Sequence, residues 1–333
     1  MSVPGRGAPA AICSISGGLF RFARPDRILG FSSALSLILA LWAMIAPRPA
    51  LAQGGLTITS TPPPEYQFGE QAVFQISAQS SAAITGVTLF FRTPEDARAV
   101  AGEASFIEGA AVTARYSLDL AAYPLPPFAP VQFWWEVRDS AGARATSDPQ
   151  TFVYEDNRFD WQTLARSTTT VHWYQGDTAF GQTALDIAAF GLAQANTDIQ
   201  APFPGAVRIY IYGSDADAQA ALKLVGRIWA GGHADPALGV VLVTVPDNLE
   251  ASIGLGRAIP HELTHLLVYA ATGEQYPRVP NWLNEGLAVM NQAEPDPDYP
   301  TALAKAREGG YLISLADLCG PFPADPLRAQ LAY

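Results

Sequence analysis

Cysteine is nearly missing: Cys13 and Cys319 are the two in 333 residues. Two thiols so far apart support neither a disulfide framework nor a Cys-type zinc site. Cys319 reads as a lone buried thiol, not a nucleophile. Lysine is as scarce, with Lys223 and Lys305 alone; the other basic residues are Arg. Basic residues of both kinds number 20 against 31 acidic ones, a net charge of −11. Binding a phosphate backbone needs a basic surface, so no nucleic-acid partner is expected. There are four histidines, His172, His233, His261 and His265, so any pattern among them carries information. Internal repeats and low-complexity tracts are absent. What is present is an ordinary hydrophobic share of 49%, with Gly 28 and Pro 27 supplying turns. A chain of this length favours two domains.

The first 52 residues are set apart. Arg21, Arg24 and Arg27 precede an apolar run over 28–46, ended by Pro47 and followed by Ala50-Leu51-Ala52. Basic flank, apolar core and small-x-small site are the parts of a secretory signal peptide. Cleavage after Ala52 would leave Gln53 first. The run is also long enough to span a bilayer. The alternative is an uncleaved anchor, with its Arg side in the cytoplasm. Either way residues 53 onward are expected outside the cytoplasm, secreted or tethered to its membrane by residues 28–46. Residues 1–52 hold five Arg and one Asp, so the remainder has 15 basic and 30 acidic residues, net −15. Such a surface is not drawn to anionic membranes.

Residues 53–155 read as all-β. Apolar residues alternate over 56–59, 72–76, 87–91, 112–120 and 131–137, with turn material such as Pro62-Pro63-Pro64 and Pro94-Glu95-Asp96 between them. Short alternating strands with regular turns predict a β-sandwich. The stretch Phe133-Trp134-Trp135-Glu136-Val137-Arg138-Asp139-Ser140-Ala141-Gly142 resembles the late strand and hairpin turn of immunoglobulin-like or fibronectin-type modules in exported bacterial proteins. Its two Trp read as packing rather than as a ligand platform.

The rhythm changes after Asp156. Thr183 to Ala195 has helical spacing. Val207 to Tyr212 alternates as a strand. Ser214-Asp215-Ala216-Asp217 opens a helix running to about Trp229, broken by Gly231-Gly232. Gly239 to Val245 is an unbroken apolar strand. Helices follow over about 257–271, 281–292, 299–307 and 314–318. Residues 156–333 therefore read as an α+β domain behind the β module.

Pro260-His261-Glu262-Leu263-Thr264-His265 contains His-Glu-x-x-His. On a helix, residues four apart lie one turn above each other on one face. Both imidazoles can then reach one metal ion, and zinc accepts such nitrogens at about 2.0–2.1 Å. Glu262 sits beside the first His, too close in sequence for a comfortable co-ligand but well placed to contact a metal-bound water. A hydrolytic zinc site needs a third protein ligand and an open position. Glu285 lies 20 residues past His265, in Asn281-Trp282-Leu283-Asn284-Glu285-Gly286-Leu287-Ala288. A short antiparallel helix could deliver its carboxylate, with Gly286 allowing close approach.

This pair of motifs resembles the gluzincins, the thermolysin and membrane-alanyl-aminopeptidase clan. Trp282 to Ala288 looks most like the bacterial peptidase MA-like family of exported or tethered proteins, and the likeness covers about residues 158–333. The resemblance implies a zincin-like metallopeptidase domain with one Zn2+ ion. His261, His265 and Glu285 would be its ligands and Glu262 its base, acting on a peptide or protein substrate. It implies an edge strand that holds the substrate, and Gly239 to Val245 is placed for that role, though its apolar run equally fits a central strand. Thermolysin has an Asp four residues after its third ligand, orienting a ligand histidine; here that position is Val289, so the orienting partner must come from elsewhere. Relatives continue with more helix past the point reached by Leu331-Ala332-Tyr333.

A second donor to the developing oxyanion is needed, and Tyr276, His233 and Tyr311 are the candidates. His172, beside Trp173 and Tyr174, reads as structural. Two other functions fit less of the pattern. One is a zinc-dependent hydrolase of a non-peptide substrate. The other is an exported binding protein with a vestigial metal site, which gives no reason to keep Glu262.

Overall fold

The computed structural model describes residues 55–332, apart from 95, 203–204, 224–231 and 320–324. The proposed signal or anchor segment lies outside the described residues, as does the far end of the helix expected to reach Trp229. Residues 54–333 form one compact unit.

Eight strands come first: β1 (Thr57–Ser60), β2 (Glu65–Gln67), β3 (Gln71–Arg92), β4 (Val100–Glu103), β5 (Gly109–Asp119), β6 (Pro130–Asp139), β7 (Arg144–Thr146) and β8 (Gln150–Val153). All pairings are antiparallel. The two strands expected over 72–76 and 87–91 are one. The run Ser80-Ser81-Ala82-Ala83 has no Gly or Pro to turn the chain, so β3 bends and continues. Its first half pairs with β5, Gln71↔Asp119 to Gln79↔Ala111, and its second with β6, Val87↔Val137 to Arg92↔Gln132. A register shift marks the bend. There Ser80 Oγ donates to Asp139 Oδ2 at 2.7 Å, fastening the bend to the end of β6. Phe74, Phe91, Phe133 and Trp135, all essentially buried, fill the core of this module. Trp134 points the other way and stacks on Phe90 across the outer face, ring centroids 5.6 Å apart.

A second sheet follows: β9 (Gln162–Arg166), β10 (Thr169–Trp173), β11 (Val207–Tyr212), β12 (Gly232–Asp235) and β13 (Val240–Thr244), in the order β12-β13-β11-β10-β9. Helix α1 (Thr178–Ile199) and helix α2 (Asp215–Lys223) make the crossovers between the parallel strands β10, β11 and β13. Then come α3 (Ala251–Thr272), a 3₁₀ turn at Gly273–Arg278, α4 (Asn281–Met290), α5 (Asp298–Gly309), α6 (Leu315–Leu318) and α7 (Pro326–Ala332). The chain is thus a mixed α+β structure.

Side chains on a strand alternate between faces, and this sheet is buried on both. Ile209, Ile211, Val241 and Val243 face α1 and α3 in one core. Tyr210, Tyr212, Val240 and Leu242 face the β module in the other. Burial on both sides explains why β11 and β13 read as almost unbroken apolar runs. Phe128 stacks on Tyr210 with centroids 3.7 Å apart, and Tyr212 Oη donates to Asp156 Oδ2 at 2.9 Å. Element type changes near residue 155, but the packing is continuous across it.

Strand β13 is interior, between β11 and β12, so the strand expected to hold substrate is not the edge. Among the described residues the edge is β12, antiparallel to β13 with His233↔Leu242. Its short Gly-His-Ala-Asp sequence lacks the apolar alternation that flags a strand. No described helix is long and apolar enough to cross a membrane. Cys319 is a free, half-buried thiol.

Candidate metal centre

Helix α3 begins six residues earlier than its periodicity predicts, because Gly254 and Gly256 hide the start. It packs on the sheet through Leu255, Ile259, Leu263, Leu266 and Leu267, all within the core. Helix α1 crosses it where a Cβ on Gly191 would come 2.9 Å from Pro260 Cβ. That close crossing fixes the turn of α3 just before His261.

His261 and His265 lie one turn apart with ring centroids separated by 5.1 Å. Helix α4 brings Glu285 to them. Glu285 Oε2 is 3.2 Å from His261 Nε2 and 3.8 Å from His265 Nε2. One ligand atom from each of the three residues falls within 4.8 Å of the others. The two separations bracket the ~3.4 Å edge of a tetrahedron with bonds of about 2.1 Å. Two imidazoles and one carboxylate also match the donor set that zinc takes with a fourth position open. The residues fit a zinc ion.

Electrostatics tie the cluster together. Burial dominates the influences on Glu285 and would raise its carboxyl, but the bond to His261 and the nearby imidazoles outweigh it and hold it low. Burial likewise pushes His261 down, yet the Glu285 bond and the Glu262 and Glu285 charges lift it above the ordinary value. His265 is lowered, by burial first, against the pull of Glu285 and of the Asn284 side chain. Glu262 is buried, and burial pushes its carboxyl up to about 7, opposed by His261 and assisted by Glu285. A Cβ on Gly232 would overlap Glu262 Oε1, so the backbone of β12 runs directly against this carboxylate.

Of the three oxyanion candidates, the structure brings Tyr276 to the cluster. Its hydroxyl accepts from Asn284 Nδ2 at 3.2 Å, and Glu285 and Glu262 both act on its proton affinity. His233 pairs with Leu242, whose side chain belongs to the core against the β module; alternation along β12 sends it to the face opposite Gly232. Tyr311 is 56% exposed and packs beside Gly309 at the end of α5. His172 stacks on Tyr210 at 4.4 Å, a packing position in the sheet. Reading the sequence alone missed β12 as the wall beside Glu262. It also missed Gln292, whose Nε2 lies 3.4 Å from His261 Nδ1.

Comparison with solved structures gives partial likenesses. OgpA from Akkermansia muciniphila, crystallised in catalytically inactive form with an O-glycopeptide (glycodrosocin) substrate, is 11% identical over 30% of this chain, with a TM-score of 0.25. The chain covers 29% of that protein's length. A family 56 carbohydrate-binding module, a β-1,3-glucan binding domain, is 13% identical over 29% of this chain and 96% of its own, with a TM-score of 0.19. The sulfane dehydrogenase SoxCD from Paracoccus pantotrophus is 17% identical over 27% of this chain and 22% of its own, with a TM-score of 0.20. Likenesses this small fix neither fold nor function. No curated protein matches the chain. The family model of the Peptidase MA superfamily matches residues 187–333, which include α3, α4 and the whole His-His-Glu cluster. Over that region the chain is similar to the Peptidase MA superfamily, a match that suggests a metallopeptidase-like function.

Proposed function

We propose that the chain is an exported zinc-dependent peptidase, with His261, His265 and Glu285 holding one zinc ion and Glu262 serving as general base. The convergence of those three side chains from α3 and α4 carries the reading. When bound, the ion polarises the scissile carbonyl and makes water acidic enough to attack near neutral pH. Glu262 takes the proton of the attacking water on a carboxylate oxygen and passes it to the leaving amine. Its burial suits this traffic, because a carboxyl near 7 can both accept and release a proton at neutral pH. Tyr276 offers its hydroxyl proton to the developing oxyanion. Asn284 Nδ2 occupies a lone pair of the phenol oxygen, which leaves the O–H free to point elsewhere.

The edge position of β12 beside Glu262 favours a peptide substrate over a non-peptide one. An extended chain can add to a sheet edge by main-chain hydrogen bonds. We read the β module, residues 53–155, as an immunoglobulin-like sandwich, on the strength of the bent β3 whose halves pair with different strands around one apolar core. We assign residues 1–52 to export, as signal or anchor, on their sequence.

The test uses the chain beginning at Gln53. One zinc per chain and chelator-sensitive cleavage of a casein substrate are expected. Glu262→Gln should keep the zinc and lose hydrolysis by about 10²–10⁴-fold. Full activity in that variant, or a protein that binds no zinc, removes the proposal.

A further inference from the structure

We infer that Gln292 is a positioning residue that holds His261 in the tautomer needed for metal binding. The inference rests on the zinc reading above. His261 turns Nε2 toward Glu285 Oε2, 3.2 Å away, so Nε2 is the atom that meets the ion. A metal on Nε2 leaves the proton on Nδ1, and that N–H points away from the ion and calls for an acceptor. The group facing Nδ1 is the side-chain amide of Gln292 at 3.4 Å.

As placed, the amide presents its nitrogen to the ring, while Gln292 Oε1 is buried and makes no hydrogen bond. The two ends of a glutamine amide exchange by a half-turn about one bond. That half-turn puts Oε1 opposite Nδ1–H and gives the buried oxygen its partner.

The fold explains how Gln292 arrives there. Pro260 lies inside α3 and has no N–H to give the carbonyl of Gly256, four residues back. Gly256 O instead accepts from Ala293 N at 2.8 Å and Glu294 N at 3.3 Å. Gly256 allows this close approach, since a Cβ there would lie 2.8 Å from Glu294 Cγ and push that side chain aside. Arg257 Nη1 and Asp296 Oδ2, 3.5 Å apart, hold the next turn of the segment. A proline one residue before the first ligand therefore frees the carbonyl that docks the segment carrying its orienting amide. Val289 cannot serve, having no polar atom. An amide orients the ring without lending it negative charge, so His261 is a weaker donor to the metal than a carboxylate-backed imidazole.

The test is zinc affinity by chelator competition, with the His261 ring nitrogens followed by ¹⁵N NMR in the zinc-loaded full chain. Gln292→Met, similar in shape but without an acceptor, should weaken zinc binding about 10–100-fold. Its Nδ1–H resonance should shift or be lost to exchange. Gln292→Glu restores an acceptor and should bind zinc at least as tightly as the parent, a rescue that packing alone does not give. The inference is overturned if Gln292→Met binds zinc within about twofold of the parent with the Nδ1–H signal unmoved. It is equally overturned if Met and Glu weaken binding alike. A parent chain that takes up no zinc removes the peptidase reading itself, so the two failures are told apart.

Discussion

Gly232 and Glu262 are in backbone-to-carboxylate contact: a Cβ on the glycine would overlap Oε1 and crowd Cδ of the glutamate. Strand β12 is the outermost described strand of its sheet, so its main chain forms one wall against this carboxylate, the proposed general base. The same contact helps keep Glu262 out of water, and burial is the leading reason its carboxyl is pushed up to about 7. Close approach, not its φ angle, is what favours a glycine here.

Gly232→Ala should therefore displace either the strand or the carboxylate. Turnover is expected to fall about 10–100-fold, since a shift near 1 Å in a reacting group costs that much. The proposed ligands on α3 and α4 are untouched, so the zinc content expected for the parent should be kept. Unchanged turnover in the alanine variant would show that Glu262 is not held by this wall.

Tyr276 gives a second expectation. Burial raises its phenol above the ordinary value, against the bond from Asn284 that lowers it, so the group stays a neutral donor through the working pH range. Tyr276→Phe removes the proposed donor to the oxyanion and keeps the ring against Tyr269, whose centroid is 5.5 Å away. A loss of about 10²–10³-fold in kcat with little change in KM is expected. A change confined to KM would assign the hydroxyl to substrate binding instead.

The His-Glu-x-x-His turn and Glu285 were legible because their spacing is local: one helix face, then one short helix. Strand β11 and most of α4 were legible for the same reason, as periodicity survives burial there. Strand β12 was not, because a four-residue strand containing Gly232 and Asp235 carries no period, and its place is set by pairing with β13. The bend in β3 was hidden because Ser80 bonds to Asp139, 59 residues away. Gln292 was hidden likewise: its position depends on a carbonyl freed by Pro260, a contact between segments with no sequence signature.

The join between the β module and the second sheet centres on Asp156, which is fully buried. Arg158 grips its carboxylate through Nε at 2.8 Å and Nη2 at 2.6 Å, and Tyr212 Oη adds a third bond. Arg158 Nη2 also donates to Asp217 O at 3.0 Å, reaching α2. Tyr212→Phe should cost about 1 kcal/mol. Arg158→Ala leaves a buried carboxylate without its cation and should cost about 3 kcal/mol or more. Urea unfolding monitored separately for each half would check this. Two well-separated transitions in Arg158→Ala, against one in the parent, are expected if this network couples the halves.

His172 sets a pH dependence with a definite sign. Burial first, and the Arg208 charge second, lower its proton affinity to about 4 from an ordinary value of 6.5. The unfolded chain takes up a proton as pH falls through 6.5, while the folded chain resists until about 4. The unfolded state then binds more protons, so stability is lost as pH falls across that window. The loss is on the order of 1–2 kcal/mol once the partial exposure of the ring is discounted. Other groups titrate in the same range, and Glu262, raised to about 7, contributes with the opposite sign. The comparison must therefore be with His172→Phe, which keeps the stack on Tyr210 and gives up the bond to Thr163 Oγ1. Urea midpoints at pH 7 and pH 4.5 should differ less in the variant than in the parent. Equal differences would mean that the imidazole is protonated in the folded sheet as readily as in water.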